Sequence, residues 1–369
     1  MSCDLQLTFF GLSLGNKHRR LNQQNWGVRN MIRLKPFSIF VLLLSLQYAS
    51  SQAQDEPKWE QLKENFKTEA LSFGALLQVV GDFQSERSFS GKSGFSISKM
   101  RVNIRGALDG GFSYFLHADF TKSTAIVDAR ASYRVSSNFG IDAGLFKAPF
   151  SGSFLVSASK TDFVKRPQVV NLLALKRQLG VQAHGNLANG GATYSAGIFN
   201  GDNFGGNLND NNAFLYVARW AFFPNRNESQ KPIEIGLNAA YSKDGSVNIL
   251  GYSNGKRLLY GGDFRWSSAR GFLSGEFIRA RLKESQPQSA PENPWGFHLT
   301  GAHNLDEKNQ MLLRWDYMNF GNTESRDLFI LGYNHWPTST AKLQINYVFD
   351  PDDRVFKHHQ LLINMQINF

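Results

Sequence analysis

Cysteine is almost absent: the single one, Cys3, stands at the very start of a chain of 369 residues. A disulfide framework and a cysteine metal site are thereby excluded for the rest. Long hydrophobic runs are missing as well. The longest, Phe37 to Leu46, falls short of the roughly 18 apolar residues that a membrane-crossing helix needs, so a helical membrane protein is excluded. Charge is sparse at 19%. Histidines are few, and only Phe356-Lys357-His358-His359 brings two together, at a spacing that sends them to opposite faces of a strand. No zinc-enzyme spacing and no phosphate-cradling Gly-x-x-x-x-Gly-Lys loop occurs. No serine, histidine and acid set stands out. Neither metal nor cofactor nor nucleic-acid partner is expected, and no enzyme.

The apolar run has its own explanation. It follows Arg33 and Lys35 and precedes Ser51-Gln52-Ala53, with small residues where a signal peptidase reads. Residues 31–53 are read as a cleaved signal peptide, with Met31 as natural initiator and residues 1–30 as an upstream start artefact or leader. Residues 1–53 hold six Lys/Arg and one Asp, so the net charge of +10 falls to +5 on their removal. Half of the basicity belongs to the leader. Residues 54–70 read as a short periplasmic arm or helix.

What is plentiful is Gly (33), Phe (31) and, from Leu71 onward, alternation with a period of two. Met100, Val102, Ile104 and Leu108 share one strand face, and Lys99, Arg101, Asn103 and Arg105 share the other. Cations on one face cannot enter a dry core, because an unpaired buried charge costs several kcal/mol, so that face meets water. The opposite face is as apolar as a core. The pattern returns in Val127, Ala129, Ala131 and Tyr133 against Asp128, Arg130, Ser132 and Arg134, and persists to Ile367 and Phe369.

Such segments number sixteen: approximately 71–82, 95–109, 112–120, 125–135, 139–147, 176–185, 192–200, 213–223, 233–242, 257–267, 271–281, 294–303, 310–319, 327–336, 341–349 and 358–369. Outer-membrane barrels use even strand numbers, with short periplasmic turns and longer outer loops. Turn chemistry such as Asp109-Gly110-Gly111 and Ser136-Ser137-Asn138 follows even-numbered strands. Longer joins, including 201–207 and 284–293, follow odd-numbered ones. Asn225 to Lys231 is long for its side. The expectation is an all-β, 16-stranded antiparallel transmembrane barrel over residues 71–369, exported to the bacterial outer membrane. Tyr133, Trp220, Trp266 and Phe369 fit an interfacial aromatic girdle. The terminal Phe369 resembles the signal read by the barrel assembly machinery.

The longest join, roughly Ala148 to Ala174 between strands 5 and 6, exceeds what compact folds usually tolerate without a functional reason. With Lys147 at its start it carries Lys160, Lys165 and Arg166 but only one acid, Asp162. Folded inward, it narrows the lumen where these cations meet Lys99, Arg101, Arg105, Arg130 and Arg134. Rings of Lys and Arg favour anions, and guanidinium matches phosphate oxygens. Inward acids, among them Asp119, Asp128, Asp142, Asp263, Glu276 and Asp316, temper that ladder. Some cations can instead face outward, against lipopolysaccharide.

Four motifs carry a resemblance. Gly144-Leu145-Phe146-Lys147-Ala148-Pro149-Phe150-Ser151, Phe163-Val164-Lys165-Arg166, Lys176-Arg177-Gln178-Leu179-Gly180-Val181 and Tyr194-Ser195-Ala196-Gly197-Ile198-Phe199-Asn200-Gly201 resemble, in order and spacing, the phosphate-selective porin O and P family. The resemblance implies a homotrimeric sixteen-stranded porin whose lumen cations guide phosphate or polyphosphate. Lys147, Arg166 and Arg177 are the positions carried over with it. A general, weakly selective porin stays open as an alternative, as does an outer-membrane receptor or hydrolase barrel.

Overall fold

The computed structural model describes residues 71–84, 93–121, 126–201, 209–224, 232–245, 247–285, 293–321, 324–353 and 359–369. The leader, the arm at 54–70, the joins at 202–207 and 225–231, most of 284–293 and His358 lie outside the described residues. The strands are β1 (Ser72–Gln84), β2 (Gly94–Ala107), β3 (Phe112–Asp119), β4 (Ile126–Ser136), β5 (Phe139–Lys147), β6 (Arg177–Leu187), β7 (Ala192–Phe199) and β8 (Leu215–Phe222). They continue as β9 (Ile233–Asp244), β10 (Gly255–Ser268), β11 (Gly271–Glu284), β12 (Trp295–Asn304), β13 (Asn309–Asn319), β14 (Ser325–His335), β15 (Ala341–Phe349) and β16 (Gln360–Asn368).

Each strand pairs antiparallel with its chain neighbours, and β1 closes on β16 from Leu76 opposite Asn368 to Gln84 opposite Gln360. Closure leaves no sheet edge, and in lipid an unpaired edge is untenable because no water can satisfy its backbone groups. The period-two reading holds on the outer face, where Leu77, Val102, Leu116, Leu237, Leu313 and Leu331 are exposed for lipid to cover. Phe369 completes the seam: its N–H donates to the Ala75 carbonyl at 3.1 Å, and its own carbonyl accepts from Ala75 N at 3.0 Å.

Three register shifts interrupt the alternation, one of them at Val135, where β4 turns into β5. Gln78 pairs with Lys99 but Val79 with Ile97, so Ser98 is the extra residue on β2. His117 pairs with Asp128 but Ala118 with Ile126, making Val127 the extra residue on β4. Val127 was expected on the lipid face, and the structure buries it at 3% exposure, because an inserted residue shifts the register by one.

Gly144 and Gly180, one from each of two motifs, stand opposite each other on β5 and β6. A Cβ at Gly144 would strike the Ala129 carbonyl oxygen, and one at Gly180 that of Ile198. Gly144 also has φ of +126°, which L side chains avoid. Replacing Gly144 by valine is expected to cost about 1–3 kcal/mol through strain and overpacking. Comparing heat-unfolding midpoints of the folded barrels checks this; equal midpoints would refute it.

Residues 148–176 join β5 to β6 and hold two short α-helices, α1 (Gly152–Leu155) and α2 (Gln168–Leu173), with a 3-10 turn at Ala158–Lys160 between them. Their backbone is gripped by strand side chains from across the barrel. Asn238 accepts from Ser151 N at 3.2 Å, Glu276 from Ser153 N at 3.1 Å, Asn346 from Val164 N at 2.8 Å and Asp316 from Gln168 N at 3.0 and 3.1 Å. Lys342 donates to the Thr161 carbonyl at 2.8 Å and Gln366 to that of Ser159 at 3.0 Å. These strands span from β9 to β16, and the gripping side chains lie on the face opposite the exposed apolar one, so the segment runs through the lumen.

An apolar cluster fixes it there. Phe150, Val169, Val170, Leu173 and Leu175 are buried with Phe146, Phe199, Leu259, Ile278, Ala280 and Met318 from the strands. The hairpin joining β9 to β10 adds Ile249 and Tyr252. A smaller cluster places Phe163 among Val80, Leu312, Ile330, Val348 and Leu362. Much of the β6–β13 side of the lumen thus carries a core like that of a soluble domain, while polar space persists beside β1–β5 and next to β10–β13.

Candidate functional site

The bulges leave Lys99, Arg101, Arg105, Arg130 and Arg134 on the inner face, and register sets Arg105 and Arg130 on either side of Phe115. A hollow of about 440 Å³ is lined by Arg101, Phe115, Asp128, Arg130, Lys147 and Arg177, among others. A second, of about 290 Å³, lies on the other flank of α1, beside Arg219, Asp263, His298 and Arg314.

Most of these cations already hold a partner. Arg101 Nε lies 2.8 Å from Asp119. Arg177, whose face the motif alone did not settle, points inward and grips Asp128 with two N–H groups at 2.9 and 3.0 Å. His117 lies 2.8 Å from the same carboxylate. Arg219 binds Asp263 at 2.5 and 2.8 Å, and Arg257 binds Asp244 at 2.8 Å with almost no exposure. Asp119, Asp128, Asp263 and Asp244 are therefore counter-ions, each placed beside a guanidinium that burial would otherwise penalise.

Lys147 and Arg166 are engaged differently. Lys147 Nζ donates to the carbonyls of Phe154, Leu155 and Val156 at 2.7, 3.1 and 2.8 Å. Arg166 donates to the carbonyls of Ser153 and Phe154 at 3.2 and 3.4 Å, and also to that of Val156. Both cations lie over the Phe154 ring. These are the orphan carbonyls at the end of a helix, where the macrodipole favours positive charge. Burial, then Arg177 and Arg101 nearby, lowers the Arg166 pKa to about 10, still protonated at neutral pH. The two motif cations brace the segment that they were expected to arm.

The remaining candidates are more open to water. Arg130 is 3.6 Å from Asp142, with its side chain 37% exposed. Lys165 reaches Asp82 at 3.5 Å and Gln360 at 3.1 Å with 47% exposed. Arg105, Arg134 and Lys160 are exposed, and among the described residues none of the three has an acid within ion-pair distance. Lys99 is half-buried and donates to the Ser98 carbonyl at 2.8 Å.

One constellation invites a catalytic reading and does not sustain it. Ser153 Oγ lies 3.0 Å from His298 Nε2, but Glu276 Oε2 lies 3.9 Å from that same nitrogen. His298 Nδ1, where a triad needs its acid, has no hydrogen-bond partner among the described residues. The spacing Gly251-x-Ser253-x-Gly255 falls on the β9–β10 hairpin, without the strand-to-helix elbow that exposes a nucleophile. Among the described residues no cluster of His, Cys, Asp and Glu could hold a metal ion.

Comparison with known proteins bears out the resemblance. The family described as Phosphate-selective porin O and P matches residues 76–252. No curated protein matches the chain in sequence. Among solved structures, an anion-selective porin from Comamonas acidovorans aligns with a TM-score of 0.63 at 13% identity, covering 81% of this chain and 99% of that one. Outer-membrane expressed OmpT of Vibrio cholerae aligns at 0.58 and 10% identity, covering 82% and 99%. The outer membrane channel DcaP of Acinetobacter baumannii aligns at 0.57 and 9% identity, covering 81% and 97%. At such identities these likenesses speak for the fold.

Proposed function

From a chain that is a porin-type barrel of the bacterial outer membrane, matched by the phosphate-selective porin O and P family, we propose a passive channel for small anions, with phosphate or polyphosphate foremost. The observation that carries this is the asymmetry of the lumen. The apolar cluster occupies much of the β6–β13 side, and the polar side presents Arg105, Arg130, Arg134, Lys160 and Lys165 to water while its acids Asp119, Asp128 and Asp142 are each held by a cation. Fixed positive charge in a narrowed aqueous path raises the local anion concentration. Arg101, Arg177, Lys147 and Arg166 shape and polarise that path rather than offering empty donor forks. Selectivity arises from charge and width, without turnover. Homotrimeric assembly and recognition of the strand ending at Phe369 by the barrel assembly machinery complete the proposal.

The test is the zero-current potential of reconstituted protein in a salt gradient, followed by titration of chloride current with phosphate. Anion preference with saturable phosphate block is expected. The Arg130→Glu, Lys160→Glu double variant is expected to lower the anion-to-cation permeability ratio by roughly fivefold or more, since one charge at 4 Å in water is worth about 1 kcal/mol. Pairing of most lumen cations with acids favours a second reading, a general porin. It predicts the anion preference without the block.

A further inference from the structure

The outer surface of β9, β10 and β11 carries five basic side chains and, among the described residues, no acidic one. Lys243, Lys256 and Lys283 form a single row, because Lys256 stands directly opposite Lys243 on one neighbour and Lys283 on the other. Arg281 lies one outward row below, opposite Leu258, and Arg279 a further row down, between Tyr260 and Trp295. The three lysines and Arg281 are exposed. Their strand neighbours Ser242, Asp244, Arg257, Ala280 and Leu282 are buried, which sets these cations on the outside of the wall and apart from the lumen.

Like charges directly opposite on adjacent strands destabilise a sheet, so two such contacts in one row call for an external anion. The height of the row says which. Trp266, exposed on the outer face, marks the other end of β10. Lys256 stands ten residues from it, about 33 Å along the strand at 3.3 Å per residue. A tilt of about 40° reduces this to about 25 Å, the height of the apolar band of an outer-membrane barrel. The row therefore sits at the polar boundary of the outer leaflet, the depth of lipid phosphates. Below it the Arg281 guanidinium lies 5.9 Å from the centre of the Tyr260 ring, poised to reach upward as long basic side chains do at interfaces.

We propose that this face is a binding site for a phosphorylated glycolipid of the outer leaflet, its phosphate taken by the lysine row and Arg281. A second copy of the chain fits less well, since five cations without an acid do not complement themselves.

The experiment uses the purified full-length barrel in detergent, with diphosphoryl lipid A as probe and native mass spectrometry as readout. The Lys243→Gln, Lys256→Gln, Lys283→Gln variant is expected to bind the probe at least about tenfold more weakly, as loss of three basic groups near a lipid surface implies. Its single-channel conductance should match the parent, which certifies folding. Equal binding by the variant overturns the proposal, as does equal binding of lipid A stripped of its phosphates. Loss of the oligomer with lipid binding intact also overturns it and assigns the face to a second copy. Should the triple variant fail to fold, Lys256→Gln alone decides. It relieves both like-charge contacts, so it should raise heat stability in lipid-free detergent and shrink the stabilisation by lipid A; equal stabilisation of both proteins refutes the site.

Discussion

Replacing Lys147 by methionine is expected to raise single-channel conductance severalfold while leaving the sign of ion selectivity unchanged. The physical reason is that its ammonium holds the last three carbonyls of the α1 turn. Hydrogen bonds to a charged group contribute about 1.5–3 kcal/mol each, and methionine keeps the length of the side chain without a donor. Arg166 shares two of the three carbonyls and the same Phe154 ring. The double variant Lys147→Met, Arg166→Met should therefore exceed the sum of the singles, as groups with common partners do. Released carbonyls turn to water, and the segment loses its hold beside the polar path. Recordings in planar bilayers decide the matter. A collapse of anion preference at unchanged conductance would mean that Lys147 touches the permeating ion directly, and the brace would be the wrong description.

Replacing Asp316 by alanine is expected to lower barrel stability by about 3–5 kcal/mol, the usual result of leaving a buried charge without its partner. Asp316 is 1% exposed, accepts two bonds from Gln168 N at the start of α2, and lies 3.6 Å from Arg314. Arg314 is itself buried, stacked 4.5 Å over Phe163 and donating to the Lys165 carbonyl at 3.0 Å. Removal of the carboxylate thus strands a guanidinium and the Gln168 N–H, which both its oxygens share, at once. Asp316→Asn keeps an acceptor for Gln168 and should cost less. Heat-unfolding midpoints of the three proteins check the order; coincidence of the alanine variant with the parent would show that Arg314 needs no counter-ion.

The wall was legible because alternation is a local property. Strands β5 and β15 carry the bounds expected for them, and all sixteen are present. Parity also put the right cations on the inner face, Arg101 and Arg130 among them. Two things escaped. The bulges at Ser98 and Val127 arise from pairing with the neighbouring strand, which no single strand announces. The contents of the lumen depend on which inward residues meet across it, so the pairing of Arg177 with Asp128 and the bracing by Lys147 were beyond reach. A signal for the apolar half did exist. Along β11 the inward positions become Ile278, Ala280 and Leu282 while the outward ones become Arg279, Arg281 and Lys283, an inversion of the lipid-facing pattern. The apolar Phe150, Val169, Val170 and Leu173 of the inserted segment asked for the same partner.

The grip on that segment has an evolutionary consequence. Asn238, Glu276, Asn346, Asp316, Lys342 and Gln366 hold it through backbone amides and carbonyls, which every residue but proline offers in full. Side chains around Ser157 to Lys160 can be exchanged without disturbing the clamps. A lineage can thus retune what the channel admits by point changes on a borrowed shape, while the scaffold that presents them stays the same.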